Sequence, residues 1–254
     1  SEKIMVHLGK DIQKKIKSEN LCLAGGVALN SVANKKLYDA ANFKKMFVFP
    51  ACSDAGIPFG LALWGAVNKY CKNKKFKINF DNAYTGKNYS NLEINNLLKK
   101  FKIKSKKSKD DEVASLLSKG KIFGRLSEAS EYGPRALGNR SILADPRNVK
   151  MRDYINKKVK HREVFRPFAP SILEDEYNKH FDLKTISPYM LLVAKSKKPN
   201  IIPSAIHVDG TARVQTVSKI QNKKFYNLIK AFNKITKVPI LLNTSFNDAG
   251  EPLV

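Results

Sequence analysis

Arginine residues are confined to one part of this sequence. All eight lie between Arg125 and Arg213, whereas the 39 lysines are scattered along the chain. A guanidinium group presents a rigid, planar set of donors that matches the oxygens of phosphate and carboxylate groups. This confinement predicts where an anionic ligand binds.

The segment EYGPRALGNRSILADPR has the composition of a ligand-binding loop. It contains three arginines, of which Arg135 and Arg140 are the candidates for contact with substrate. Arg135 is preceded by Pro134, which fixes the backbone, and followed by Gly138, which lets a ligand approach closely.

The next segment, KHREVFRPFAPS, places three cations beside aromatic and proline residues that would hold their stems rigidly. They are Lys160, Arg162 and Arg166. A fixed group of cations of this kind is suited to spread negative charge, such as that of a transferred phosphoryl group.

Two further segments supply polar groups of the same kind. HVDGTARVQ contains His207 and Arg213, and LNTSFN contains Asn243, Ser245 and Asn247. The last three alternate after a strand and therefore face one way. Together the segments predict a cationic, hydroxyl-lined site for a phosphate ester or nucleotide. The alternative is a solvated basic face with a few ion pairs.

The first third of the chain carries weaker signals. In LAGGVALN a strand ends at Gly25 and Gly26 and a helix follows, with Asn30 one turn into it. Backbone N–H groups at such a turn can bind phosphate, although a tight turn without a ligand has the same pattern. Asp54 follows a second strand, where a carboxylate binds a metal ion or caps the next helix.

Periodicity predicts an α/β fold for this first part. Apolar residues recur every fourth residue near the start, and two short strands alternate with three helices. The predicted elements are a helix over 4–16, a strand over 20–24, a helix over 27–40, a strand over 46–49 and a helix over 57–70.

A lysine-rich stretch over 71–82 predicts a linker, and a second unit follows it. Asp110 or Asp111 is expected to cap a helix that ends at Gly120. The other elements predicted for this unit are helices over 92–101, 149–159 and 225–235, and strands over 121–126 and 238–242.

Composition excludes several classes of protein. Hydrophobic residues are 43% and charged residues 27%, which is typical of a globular chain and not of a disordered one. No apolar run approaches the roughly 20 residues of a membrane span, and the start does not resemble a signal peptide. Three cysteines without a CxxC pair favour a reducing cytoplasm.

The net charge of +25 would suit a nucleic-acid-binding protein. The lysines, however, are scattered beside asparagines and form no RNA-binding signature. The expectation is therefore that neither nucleic acid nor membrane is a partner.

In the order in which they occur, seven segments resemble the carbamoyltransferase family that includes nodulation-factor, cephamycin and aminoglycoside O-carbamoyltransferases. They are LAGGVALN, SDAGIPFGLAL, EYGPRALGNRSILADPR, KHREVFRPFAPSIL, SPYMLL, HVDGTARVQTV and VPILLNTSFNDAGEP.

The resemblance implies two domains. Residues 1–78 would be the last part of an acceptor-side domain with an actin/hexokinase-like ATPase fold, and residues 83–254 would be an α/β, YrdC-like domain that makes carbamoyladenylate. The substrates would be ATP, carbamoyl phosphate and the hydroxyl group of a small molecule or sugar.

The resemblance also implies residue roles. Lys160, Arg166, Arg213 and Ser245 would be catalytic. Arg135, Arg140, Arg162, His207, Asn243 and Asn247 would bind substrate. Gly25, Gly26 and Asn30 would contact the adenylate, and Asp54 would be one ligand of a divalent metal ion, Fe or Zn.

Family members have a longer N-terminal part, which holds a histidine pair for the metal, and they continue past Pro252. The chain is therefore expected to be a fragment. Two alternatives stay open. One is an incomplete fragment that serves as a nucleotide-binding or interaction domain, and the other is an RNA-binding module, because the family is related to tRNA-modifying proteins.

Overall fold

A computed structural model of the chain describes residues 1–70, 80 and 82–254. Within these residues the chain forms two compact units. Unit 1 contains 1–83 with the short segments 132–134 and 191–193, and unit 2 contains the remainder. Most of the stretch predicted as a linker, and Cys71 with it, lies outside the described residues.

Unit 1 alternates helices and strands as its periodicity predicts. Its elements are α1 (Glu2–Ile16), β1 (Asn20–Leu23), α2 (Ser31–Ala40), β2 (Lys45–Val48) and α3 (Ile57–Tyr70). Strands β1 and β2 pair in parallel. Leu37, Ala41 and Phe43 form a small core against which Leu21 and Leu23 pack.

One predicted helix in unit 1 is broken. The sequence pattern predicts a helix over 27–40, but a 3-10 turn over Gly26–Leu29 precedes α2. Asn30 separates the two because its backbone is extended and its Oδ1 accepts from the N–H of Ala33 at 3.0 Å. Asn30 is thus the N-cap of α2.

Unit 2 is built on a five-stranded sheet. Its elements are α4 (Asn91–Lys100), α5 (Asp110–Ser118), β3 (Phe123–Leu126), β4 (Arg140–Ala144), α6 (Met151–Lys158), β5 (Ala169–Leu173), α7 (Tyr177–His180), β6 (Phe181–Asp182), β7 (Val193–Ser196), β8 (Thr211–Arg213), β9 (Gln215–Val217), α8 (Lys223–Thr236) and β10 (Ile240–Ser245).

The strand order in this sheet is β3-β4-β10-β5-β9. Only β5 and β9 are parallel, and the other pairs are antiparallel. Strands β6, β7 and β8 form a separate small sheet. The fold is therefore mixed α/β, with β10 at the centre of the larger sheet.

Helix α6 is held on the sheet by buried apolar side chains. Met151 and Ile155 pack with Phe168, with Ala144 of β4 and with Leu242 of β10. Burial of a side chain of this size contributes about 1.5–3 kcal/mol. This packing fixes the end of α6, from which the cationic segment begins.

One predicted cap is wrong. The N-cap of α5 is Lys109, which makes no side-chain hydrogen bond there, and Asp110 and Asp111 lie inside the first turn. Carboxylates in that position still interact favourably with the positive end of the helix.

Candidate functional site

Lys160 is a buried cation of the predicted site. It follows α6, its residue is 3% exposed, and its Nζ donates to the carbonyl oxygens of Ser245 (3.0 Å) and Asn247 (2.6 Å). The same Nζ lies 3.2 Å from Ser245 Oγ and 2.7 Å from Asn247 Oδ1. All four acceptors are neutral. Burial, with a smaller effect of Arg162, lowers the pKa of Lys160 to about 8.

Arg162 and Arg166 are held by Asn156, a fully buried polar residue of α6. Asn156 Oδ1 accepts from Arg162 Nε at 2.7 Å, and its Nδ2 donates to the carbonyl oxygens of Val164 and Arg166. The guanidinium of Arg162 also lies over the Phe168 ring, 4.9 Å from its centroid. The backbone of the segment is thereby fixed, as its aromatic and proline content predicts.

Arg213 belongs to the same group of charges. Burial, together with electrostatic repulsion from Arg135 and Arg162, lowers its pKa to about 10. Burial also lowers the pKa of Arg162, and repulsion from Arg166 adds to that shift. Within the described part of the chain, the buried Nε of Arg213 has no hydrogen-bond partner. Such a buried donor is costly unless a ligand pairs with it.

His207 lies beside this group. Its Nδ1 is 3.0 Å from Thr211 Oγ1, and burial is the main cause that lowers its pKa. Asp209 opposes that shift and Arg213 adds to it. The lowered pKa favours the neutral form of His207.

A cavity of about 340 Å³ opens on the cationic segment. Its lining is polar and comprises Lys160, His161, Arg162, Glu163, Arg166, Ser245, Asn247, Asp248, Ala249 and Gly250. Two of its basic side chains have carboxylate partners, because Arg166 pairs with Glu163 at 3.0 Å and His161 Nδ1 lies 2.9 Å from Asp248. Lys160 and Arg162 make no ion pair with the described residues.

Glu131 shapes the loop that carries Arg135. Its Oε1 accepts from the backbone N–H groups of Leu137 (2.6 Å), Asn139 (2.8 Å) and Arg140 (3.3 Å). Gly138 in this loop has a φ of 115°, and an added Cβ would lie 2.3 Å from the Phe225 ring. Glycine is thus required here by both backbone conformation and packing.

Asn243 lies beneath the loop in the central strand β10. Its Nδ2 donates to the Ala136 carbonyl (3.2 Å), to Ser171 Oγ (3.0 Å) and to Gln215 Oε1 (3.1 Å). Ser245 follows two residues later and therefore faces the same side of the strand.

Arg140 is not brought into this group. It is 2% exposed, and its guanidinium donates to the carbonyl oxygens of Lys87, Ser127, Glu128 and Asn139. Its donors are occupied by the protein backbone, so it serves to connect loops of unit 2. We leave it out of the proposed substrate site.

In unit 1, Gly25 and Asp54 line one cavity of about 480 Å³. Cys52, Ser53, Phe49 and Phe59 are also part of its lining. The carboxylate of Asp54 is exposed. Gly25 has a φ of 94° and precedes Gly26, which begins the 3-10 turn. Asn30 does not line this cavity, and its Oδ1 already serves as a cap.

No group of three or more histidine, cysteine, aspartate or glutamate side chains that could hold a metal ion occurs among residues 1–70, 80 and 82–254. Asp54 alone does not make a metal site. A search of the same residues finds no helix long and apolar enough to cross a membrane.

Several residues that hold the site in place were not predicted as functional. They are Glu131, Asn156, Ser171, Gln215 and Asp248. Asn156 had a detectable signal, because it is a polar residue at a position where the helical pattern calls for an apolar one. The others lie in segments for which no element was predicted, or carry no distinctive spacing.

Unit 2 is a mixed α/β unit with a polar cavity to which Lys160, Arg162 and Arg166 contribute. The family model described as Carbamoyltransferase C-terminus matches residues 114–254, and the model Carbamoyltransferase N-terminus matches residues 1–63. The chain belongs to the carbamoyltransferase family, as its motifs predict.

Curated relatives include two nodulation proteins. Nodulation protein NolO of Bradyrhizobium diazoefficiens is 40% identical over 263 residues, a match covering 100% of this chain and 48% of the relative. Nodulation protein U of Sinorhizobium fredii is 35% identical, with coverage of 92% and 40%. An uncharacterized Synechocystis protein is 39% identical, with coverage of 100% and 46%. The chain spans just under half the length of these relatives.

Among solved structures, a crystal structure of HypF from T. kodakarensis matches 59% of this chain and 19% of its own. The sequence identity is 18% and the TM-score 0.41. A likeness of this size carries no weight for the fold or the function of the chain.

Proposed function

We propose that the chain is the C-terminal part of an ATP-dependent O-carbamoyltransferase. It would move the carbamoyl group of carbamoyl phosphate, through carbamoyladenylate, to the hydroxyl group of a small molecule or sugar. Residues 1–78 would be the end of an acceptor-side domain with the ATPase-like fold, and residues 83–254 a YrdC-like domain that makes the adenylate. Membership of the carbamoyltransferase family supports a transferase of this kind.

The proposal is supported chiefly by a group of cations in which several side chains lack a carboxylate or other acceptor. Lys160 and Arg162 have no carboxylate within ion-pair distance among the described residues, and the buried Nε of Arg213 has no acceptor there. Like charges held together in a partly buried site destabilise the empty protein. A bound anion with several oxygens removes this cost, which favours a phosphate compound as the ligand.

The proposed chemistry makes use of these charges in two steps. Water first releases phosphate from carbamoyl phosphate, and a carbamate oxygen then attacks the α-phosphorus of ATP with loss of pyrophosphate. Both steps move negative charge onto phosphate oxygens. Fixed cations stabilise that charge without reorganisation at the moment of reaction. In the last step the acceptor hydroxyl attacks the carbamoyl carbon of the adenylate, and AMP leaves.

Individual roles follow from the geometry of each side chain. Lys160, fixed by Ser245 and Asn247, would act as a point charge at the base of the cavity. Arg166 is half-exposed and would contact the outer phosphate oxygens, exchanging Glu163 for substrate. Arg213 would supply its unused Nε donor to the same anion.

A divalent metal ion does not fit the described residues by themselves. Asp54 is an exposed carboxylate, and the residues described form no group of three or more such ligands around it. We therefore assign no step to a metal ion held by this chain.

Binding of RNA is less well supported by the same side chains. RNA binding requires an accessible surface of lysine and arginine along the phosphate backbone. Lys160 is 3% exposed and lines a cavity, so it does not form part of such an accessible surface.

The activity is tested with the 254-residue chain, ATP and carbamoyl phosphate, by measuring pyrophosphate release. We expect release that requires carbamoyl phosphate, and its loss in Arg166→Ala. The matched control is Arg152→Ala, since Arg152 lies on α6 and pairs with its neighbour Asp153. Unchanged release in Arg166→Ala would refute the phosphate-site assignment. No release from the unaltered chain would exclude adenylate formation by it alone.

A further inference from the structure

One acceptor beneath the cationic group lacks a donor. Asn243 is 1% exposed, and its Oδ1 is buried with no hydrogen-bond partner among the residues that the structure describes. Buried amide oxygens are nearly always paired, because an unpaired one costs roughly 1–3 kcal/mol. Asn243 Oδ1 therefore has the capacity to accept a hydrogen bond from a ligand.

The orientation of the Asn243 amide is fixed by its surroundings. The Ala136 carbonyl can only accept, so the atom 3.2 Å from it must be the amide nitrogen. Gln215 is fixed in the same way, because its Nε2 donates to the Leu137 carbonyl at 2.8 Å. Its Oε1 therefore accepts from Ser171 Oγ at 2.6 Å and from Asn243 Nδ2 at 3.1 Å. Exchange of the two atoms of the Asn243 amide would break this network.

Two contacts connect Asn243 with the segments that carry the proposed phosphate site. Its Nδ2 donates to the carbonyl of Ala136, which follows Arg135 directly in the sequence. Ser245 stands two residues after Asn243 on the same face of β10 and accepts from Lys160. Asn243 therefore lies between the loop that carries Arg135 and the end of the strand that holds Lys160.

We infer that Asn243 Oδ1 accepts a hydrogen bond from the amide nitrogen of the carbamoyl group and thereby selects carbamoyl phosphate over acyl phosphates. This inference rests on the proposed function. Carbamoyl phosphate and acetyl phosphate share their phosphate, and they differ in that the carbamoyl group ends in an NH₂ donor and the acetyl group in a methyl group. Cations cannot tell the two apart, whereas an acceptor can.

The preference for carbamoyl phosphate over acetyl phosphate is set by the free energy cost of leaving Asn243 Oδ1 without a donor. A methyl group placed against Oδ1 leaves it without a partner, and the cost of about 1–3 kcal/mol corresponds to roughly 5- to 150-fold in affinity. Sites that bind a donor group reject analogues that lack it for the same reason.

The test measures the dissociation constants of carbamoyl phosphate, acetyl phosphate and inorganic phosphate for the 254-residue chain by calorimetry. The readout is the ratio of the acetyl to the carbamoyl value. We expect a ratio above about 5 for the unaltered chain and a ratio near 1 for Asn243→Leu, which keeps the volume of the side chain. Asn243→Leu, the control variant Ser171→Ala and the unaltered chain should all bind inorganic phosphate.

Ser171→Ala is the second variant and serves as the matched control. It removes two bonds of the same network, the one donated to Gln215 Oε1 and the one accepted from Asn243 Nδ2, and it leaves Oδ1 in place, so the ratio should persist. A ratio near 1 in the unaltered chain, or one that persists in Asn243→Leu, would overturn the inference while the phosphate site stands. If Asn243→Leu fails to fold, the ratio in the unaltered chain tests the inference by itself, and a value near 1 overturns it. Absence of binding by all three ligands to the unaltered chain would instead refute the proposed function.

Discussion

Anion binding should depend on pH through Lys160. Its pKa is lowered to about 8, chiefly by burial, so the side chain loses its charge as the pH rises through that value. If the anion binds only the charged form, the affinity scales with the charged fraction. That fraction falls from about 0.9 at pH 7 to about 0.1 at pH 9, which predicts a loss of about tenfold in affinity.

Sulfate is the appropriate probe for this effect. It stays a dianion between pH 7 and 9, whereas phosphate gains charge in this range and would oppose the trend. Arg213, with a pKa of about 10, stays largely charged up to pH 9. The dissociation constant of sulfate, measured by calorimetry at constant ionic strength, should therefore rise about tenfold over the interval, because Lys160 alone loses its charge.

The matched variant is Lys160→Arg, which keeps a positive charge that does not titrate in this range. Its sulfate affinity should be flat between pH 7 and 9, whatever its absolute value. An unaltered chain with flat affinity, or a variant with the same tenfold loss as the unaltered chain, would show that Lys160 is not the charge that holds the anion.

Three further outcomes are expected. Arg140→Ala should lower the free energy of unfolding by about 3 kcal/mol or more in urea titrations, because it leaves buried carbonyl oxygens unpaired; a loss below about 0.5 kcal/mol, typical of surface changes, would contradict its structural role. Gly138→Ala should also destabilise the chain, and crystals of it should show Phe225 displaced; unchanged stability would refute the stated packing. Asp54→Asn should leave pyrophosphate release unchanged, and a large decrease would argue that Asp54 takes part in adenylate formation.

The helices were the most predictable part of the fold. Apolar spacing predicts α1 and α3 to within two residues at each end. The apolar residues of α1 that carry this pattern, such as Ile4 and Ile16, are nevertheless exposed. The helix over 27–40 was mispredicted at its start, because apolar residues continue through the 3-10 turn and the cap at Asn30 interrupts the hydrogen bonding but not the pattern.

Strands of unit 2 were harder to predict. Strand β5 reads APSIL, and a proline argues against a central strand because it cannot donate to its neighbour. Pro170 is nevertheless paired in register with Leu242 of β10. Strand β4 begins with an arginine and lies directly after the glycine-rich loop, so its sequence resembles loop more than sheet.

The candidate site, like the fold, was predictable from the sequence only in part. Residue type alone predicted which cations to examine, and the resemblance named Lys160, Arg166 and Arg213. Sequence gave no means to separate Arg140 from them, since the difference lies in which carbonyl oxygens surround the side chain after folding. The buried contacts of Asn243 depend on three separate strands and a loop, which no local pattern reports.

The convergence of cations on one anion is tested most directly by a crystal structure of the chain grown with tungstate, whose anomalous signal locates it. The account predicts a peak within about 4 Å of Lys160 Nζ, the usual limit for an ion pair, and near the guanidinium groups of Arg162 and Arg213. A cavity without tungstate, with peaks only at scattered surface lysines, would contradict it.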